Sequence, residues 1–161
     1  MIDSMLPSDW ESVRAIYSEG INTGHATLET DPGDWTTWNN RHLAVPRLVY
    51  RQNNRVVGWA ALTPVSTRCV YDGVAEVSVY VAKHARRKGV GINLLSQLIT
   101  DSESTGIWTL QASIFPENEA SVRMHQTCGF RQVGRWTRLG NLNGVWRDII
   151  QFEYRSQIVG L

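Results

Sequence analysis

The segment Arg86-Arg87-Lys88-Gly89-Val90-Gly91 sets three cations directly before two glycines, just downstream of the apolar run VSVYV. A loop of this kind between a strand and a helix turns backbone N–H groups outward and adds the positive end of the helix dipole, so it favours a polyanion. Gly89 and Gly91 let the main chain approach a ligand closely, and Arg86, Arg87 and Lys88 can add charge-assisted contacts to phosphate oxygens. No Gly-Lys-Ser/Thr follows, which separates the loop from a Walker motif, and the third glycine of the dinucleotide fingerprint is missing. For so short a pattern a solvated basic turn is the plain alternative. Glu76 lies shortly upstream in VAEVSVYV, where strand alternation groups it with Ser78 and Tyr80 opposite Val77, Val79 and Val81. A carboxylate there can take a proton from a ligand, or be a surface glutamate. His125, in NEASVRMH, carries an imidazole whose ordinary pKa of about 6.5 suits proton relay, and which suits half-buried packing equally well.

These groups need elements to hold them, and the chain alternates helices and strands without repeats or linkers. Ser8 and Glu11 form a capping-box pattern ahead of Trp10, Val13 and Tyr17, predicting a helix from 8 to 19. INTGHATLETDPG reads as loop. Trp35, Trp38 and His42 keep a helical period with Asp34 as cap, and RLVYR and RVVGWAALTP read as strands joined by a hairpin at Asn53-Asn54. VAEVSVYVA is a strand. From Gly89 the period changes, and Val90, Leu94, Leu95, Leu98 and Ile99 mark one side of a helix running to 103. IWTLQASIF is a further strand, NEASVRMHQTCGF a short helix stopped at Gly129, and two last strands cover 130 to 137 and 145 to 155, separated by the polar RLGNLNG. The expected fold is an α/β or α+β domain with a mixed sheet.

Composition narrows the function classes. At 161 residues, 42% hydrophobic and 19% charged, the chain suits one globular domain over 1–161. A net charge of only +1 gives no general argument for nucleic acid or an anionic membrane, so any cationic site must be local. The opening MIDSMLPSDW has no basic segment ahead of an apolar one, and no run approaches a membrane span, so a cytoplasmic location is expected. Cys69 and Cys128 have no second sulfur or histidine at metal-ligand spacing, and both are expected to be small core residues. The seven tryptophans read as core and interface filler.

VSVYVAKHARRKGVG resembles the R/Q-x-x-G-x-G/A signature of the GNAT superfamily of acetyl-CoA-dependent acyltransferases, including its preceding valine-rich strand. IYSEGINTGHATLET, RVVGWAALTPVSTRCVYDGVAEVSVYV, GIWTLQASIFPENEASVRMHQTCGF and LGNLNGVWRDI are more closely similar to the phosphinothricin acetyltransferase group, from residue 15 to 150. Asn93, in GINLL, departs from the basic or small residue frequent there, which bears on a peripheral phosphate contact. The resemblance implies the GNAT fold, a mixed, mostly antiparallel sheet flanked by helices, with acetyl-CoA as cosubstrate and no metal. It implies that the pantetheine arm runs along Val79, Tyr80 and Val81, that the pyrophosphate sits on Arg86, Arg87, Lys88, Gly89, Val90 and Gly91, and that Asn118 and Ser121 contact the cofactor. Asn118 is also a natural helix N-cap.

Acetyl transfer to an amine needs a base for the ammonium and a proton for the departing thiolate. Glu76 matches the glutamate assigned as general base in the group, and His125 stands where many superfamily members carry a tyrosine acid and this group a histidine. Arg68, in STRCVYDG, matches an arginine whose fork suits a carboxylate or phosphinate. Thr27, in a loop similar to one that covers the acceptor site, and Tyr80 are expected in the acceptor pocket. The implied reaction acetylates the α-amine of a small acidic amino acid or analogue, such as phosphinothricin, methionine sulfoximine or sulfone, or an arsenic-containing analogue, directly in a ternary complex. Cys128 adjoins Gly129-Phe130 at a helix end, a packing position rather than a nucleophile's. A protein N-terminus or other amine as acceptor, and a non-catalytic coenzyme A module, are the alternatives; retention of Glu76 and His125 argues against the second. A homodimer is expected, with Trp136 and Trp146 near the contact.

Overall fold

The computed structural model describes residues 1–161. The chain runs β1 (Ile2–Ser4), α1 (Trp10–Ile21), α2 (Trp35–Arg41), β2 (Arg47–Gln52), β3 (Arg55–Pro64), β4 (Val74–Val81), α3 (Val90–Ser104), β5 (Thr109–Ile114), α4 (Glu119–Thr127), β6 (Arg131–Leu142) and β7 (Val145–Arg155). The seven strands form one sheet in the order β1-β2-β3-β4-β5-β7-β6. Every pairing is antiparallel except that of β4 with β5. This is the α/β class expected, and the period-2 and period-3.6 runs fall on the strands and helices they predicted.

Helices cover both faces. On one, Leu94 and Val90 of α3 press against Gly58 of β3, so closely that a Cβ there would meet them at 3.0 Å. On the other, Tyr17 of α1 and Trp38 of α2 meet Trp59 edge-on, with ring centroids 5.6 and 5.5 Å away. Tyr80, opposite Trp59 in the β3–β4 ladder, stacks on it at 4.9 Å. Trp10, Trp38 and Trp59 are therefore core residues, whereas Trp136 and Trp146 stand out from the last hairpin.

Some local readings change. The first helix starts at Trp10 after a 3-10 turn at Pro7–Asp9, and no Ser8–Glu11 capping box forms; Asp9 instead accepts from the Leu6 N–H at 2.9 Å and pairs with Arg51 at 2.8 Å. Asp9, tied to Arg51, thereby caps the turn at Pro7–Asp9 that precedes the helix. β6 extends through the polar stretch to Leu142, because Asn143-Gly144, both at positive φ, form the tight turn and Arg138 absorbs an irregularity between Trp136 and Gly140. Cys69 is exposed rather than core, since it falls in a short 3-10 turn on the surface loop before β4; Cys128 is half-buried. The strand β1 carries too few residues to show a period.

Candidate active site

β4 and β5 are paired only from Val74–Thr109 to Glu76–Gln111, although β4 continues to Val81 and β5 to Ile114. Beyond Glu76 the two strands part, and one edge of Val77–Val81 is left without a ladder partner. Main-chain donors and acceptors so exposed suit an extended ligand lying alongside like an added strand. The opening is part of a cleft of about 910 Å³, a volume suited to a small-molecule site.

At one end of the cleft lies the basic loop. Gly89 has φ +78 and Arg87 φ +61, a left-handed turn that glycine tolerates and arginine does not favour. The N–H groups of Arg86, Arg87, Lys88 and Gly89 donate to no main-chain or side-chain acceptor, and α3 starts at the next residue. A Cβ on Gly91 would meet the Met124 sulfur at 2.7 Å, so the α3–α4 approach depends on glycine. Arg86 and Arg87 reach the cleft. Arg86 also donates Nε–H to Val81 O at 3.0 Å, which fastens the loop to the end of β4. Lys88 lies outside the lining, with Nζ on His84 O at 3.0 Å. The free N–H groups, cations and helix N-terminus together fit a pyrophosphate, and the unpaired strand edge fits an amide-bearing arm.

Glu76 stands at the centre, where β4 leaves β5. Solvent reaches it through the cleft, but the protein packed around its carboxyl raises its pKa above the usual range, and a hydrogen bond from Ser113 at 3.1 Å draws it partly back. His125 reaches the same cleft from α4. Its Nδ1–H donates to Ser121 O at 2.8 Å, so the neutral ring keeps its lone pair on Nε2, which is buried without a partner. Burial lowers its pKa, against a smaller opposing effect of the Ser121 carbonyl, and the ring is held edge-on by Phe130 at 5.0 Å. The resting imidazole is thus a proton acceptor. Asn118 caps α4 by accepting from Ser121 N–H at 3.2 Å, and both line the cleft.

On the face of β4 that carries Glu76 the cleft is walled by Thr27, Tyr80, Tyr17 and Trp38. Tyr80 enters only because residue 20 is glycine: a Cβ there would sit 2.6 Å from its ring. Burial raises the Tyr80 pKa far above the ordinary phenol value, and burial followed by the Glu29 charge raises that of Tyr17, so both rings are neutral. Glu29 pairs with Arg41 at 2.7 Å. Arg68 does not line the cleft; it lies in the exposed loop before β4 with its guanidinium 5.6 Å from the Tyr71 ring centroid. Tyr17 and Ser113 belong to the lining and were not marked by sequence. Tyr17 occupies a helical apolar position, and only the alternation within LQASI hints that Ser113 shares a face with Glu76.

The acetyltransferase (GNAT) family pattern matches residues 10–130. The chain belongs to the GNAT acetyltransferase family. It is 35% identical to phosphinothricin N-acetyltransferase of Alcaligenes faecalis over 152 residues, covering 90% of this chain and 77% of that one. It is 33% identical over 149 residues to the L-methionine sulfoximine/L-methionine sulfone acetyltransferase of Salmonella typhimurium, covering 88% and 86% of the two chains. Among solved structures it superposes on the Salmonella typhimurium protein yncA, determined with its cofactor acetyl-CoA, at a TM-score of 0.88 and 26% identity, over 96% and 92% of the two chains. Acetyl-CoA is the cosubstrate of this GNAT enzyme, and no helix is long and apolar enough to cross a membrane.

Proposed function

We propose that this enzyme, acting as one domain in the cytoplasm, acetylates the α-amine of a small acidic amino acid or analogue of the phosphinothricin and methionine sulfoximine or sulfone kind. The observation that carries the reading is the convergence of Glu76 and His125 on one cleft with the phosphate-binding loop at its end. Relatives named for those acceptors support it. Acetyl-CoA supplies the thioester acyl group. Arg86, Arg87 and the free N–H groups of 86–89 hold its phosphates, the open edge of Val79–Val81 aligns its amide arm, and Asn118 and Ser121 border it. Lys88 adds long-range charge only. Glu76 takes the proton of the acceptor ammonium, which frees the amine lone pair. His125 Nε2, deprotonated at rest, receives the second amine proton and returns it to sulfur, so its role is relay rather than standing acid. Tyr80, Tyr17 and Thr27 shape the acceptor pocket; Arg68, which stands outside the cleft lining, takes no part in holding the acceptor.

A panel of amino-acid analogues and an N-terminal peptide, with acetyl-CoA and a thiol-release readout, tests the assignment. Turnover of phosphinothricin or methionine sulfone well above that of the peptide is expected; the reverse order would move the acceptor to protein N-termini. We also propose a homodimer. Trp136 and Trp146 are 57% and 59% exposed on the edge hairpin β6–β7, where Val133 and Val145 are exposed too. Burying them against a second copy would form an interface above roughly 1,000 Å². Light scattering at the mass of one chain at micromolar concentration refutes it.

A further inference from the structure

The floor of the cleft holds a hydroxyl that neither the cofactor loop nor the acceptor wall uses. Alternation along β5 buries Leu110, Ala112 and Ile114 on one face and turns Gln111 and Ser113 to the face of Glu76. Because β4 leaves β5 after the Glu76–Gln111 pair, Ser113 stands beside the carboxylate across the opening, with Oγ 3.1 Å from Oε2. On its other side Oγ is 3.1 Å from Oε1 of Gln151, its register partner on β7. A hydroxyl has one proton, and the carboxylate is the stronger acceptor. A half-turn of the Gln151 amide then presents its NH2 to Ser113, giving one directed chain of donors from Gln151 through Ser113 to Glu76. No protein group engages Oε1 of Glu76.

We infer that Ser113, braced by Gln151, is a positioning residue for Glu76: it occupies Oε2 and leaves Oε1 as the one oxygen free to meet the acceptor's ammonium. The inference rests on the reading of Glu76 as base. A carboxylate on a strand face otherwise turns freely about its last bonds, and proton transfer depends on its geometry. Ser113 fixes that rotor from a neighbouring strand and stabilises the charged form. The uncharged neighbours in register are Thr63 on β3 and Gln111 on β5. The titratable or charged groups around the floor are Tyr80 on the same strand, Tyr17 on α1, His125 on α4, which burial keeps neutral at rest, Glu29 paired with Arg41 above, and Glu153 on β7 paired with Arg131 at 2.6 Å. The tyrosines are neutral and the carboxylates paired, which leaves the Ser113 hydroxyl as the adjustable partner of Glu76.

The test combines carboxyl carbon NMR with kinetics on the full chain. Glu76 is assigned by the signal lost in Glu76→Gln, and its titration is followed in wild type, Ser113→Ala and Ser113→Thr, each first checked for an unchanged melting temperature. Ser113→Ala is expected to move the Glu76 midpoint to higher pH, to move the acid limb of kcat/KM with it, and to lower turnover roughly three- to tenfold on that limb. Ser113→Thr, which keeps the hydroxyl and suits a strand, restores both. Gln151→Met shifts the midpoint in the same direction by less. A Glu76 midpoint unmoved in Ser113→Ala overturns the inference whatever Glu76 does in catalysis. A midpoint that moves while the kinetic limb stays removes Glu76 as base and Ser113's part in the reaction with it, leaving only the hydrogen bond.

Discussion

Replacing Arg86 and Arg87 together with alanine isolates what side-chain charge contributes to cofactor binding, because the backbone donors of 86–89 and the start of α3 remain. Both side chains are exposed. Each charge-assisted contact to a phosphate is therefore screened, and about 1 kcal/mol apiece is appropriate rather than the larger value for buried pairs. Two such contacts amount to about 2 kcal/mol, or roughly a 30-fold rise in Kd for acetyl-CoA. The two single variants are not equivalent. Arg86 also ties the loop to Val81 O, so Arg86→Ala loosens the N–H cradle and costs more than Arg87→Ala. Arg87 sits at φ +61; Arg87→Gly relieves that backbone while losing the same charge, and separates strain from electrostatics. Calorimetry at low and high salt reads the result, with the wild-type advantage shrinking as salt rises. An affinity within threefold of wild type in the double variant, or a loss independent of salt, refutes this account of the loop.

His125→Phe keeps an aromatic ring, slightly larger than imidazole, but removes Nε2, so turnover should fall roughly a hundredfold with acetyl-CoA affinity unchanged; normal turnover with a lowered melting temperature would make His125 a packing residue. Gly20→Ala puts a Cβ 2.6 Å from the Tyr80 ring and should push it off Trp59 towards the cleft. The cost is about 1–3 kcal/mol of stability, with a raised KM for the acceptor, and unchanged melting and KM would refute the contact. His42 stacks on Trp38 at 4.0 Å, and burial pulls its pKa from 6.5 down to about 4. As pH falls between those values the unfolded chain takes up a proton that the folded chain refuses. Stability should drop by about 2 kcal/mol over that window after allowance for partial exposure, and His42→Gln should flatten the acid side of a melting-temperature profile.

Much of the site was legible because it is local in the chain. The basic loop, the alternating strand before it and the helix period after it lie between Val74 and Ser104, and a pattern of charge, glycine and apolar spacing suffices to read them. Asn118 as cap and Gly129 as stop follow for the same reason: each acts on backbone within a few residues. The exposed Cys69 and the extension of β6 to Leu142 escaped local reading, because surface placement and an edge-strand ladder depend on what the segment packs against.

What only the tertiary structure decided is which distant residues share a face and where the sheet opens. The sequence determines that Glu76 alternates against the valines, but the parting of β4 from β5 makes it a cleft residue. That same parting brings Ser113, distant in sequence, to its carboxylate, with Gln151 behind it. Gly20 looks like a weak point in a helix until Tyr80 is seen filling the space its missing Cβ leaves. The His125 tautomer likewise depends on the Ser121 carbonyl one helical turn back and on burial by Phe130. Alternation and helical period are set by backbone geometry along the chain, whereas burial, partner choice and proton affinity are set by contacts between segments, and these exist only once the chain has folded.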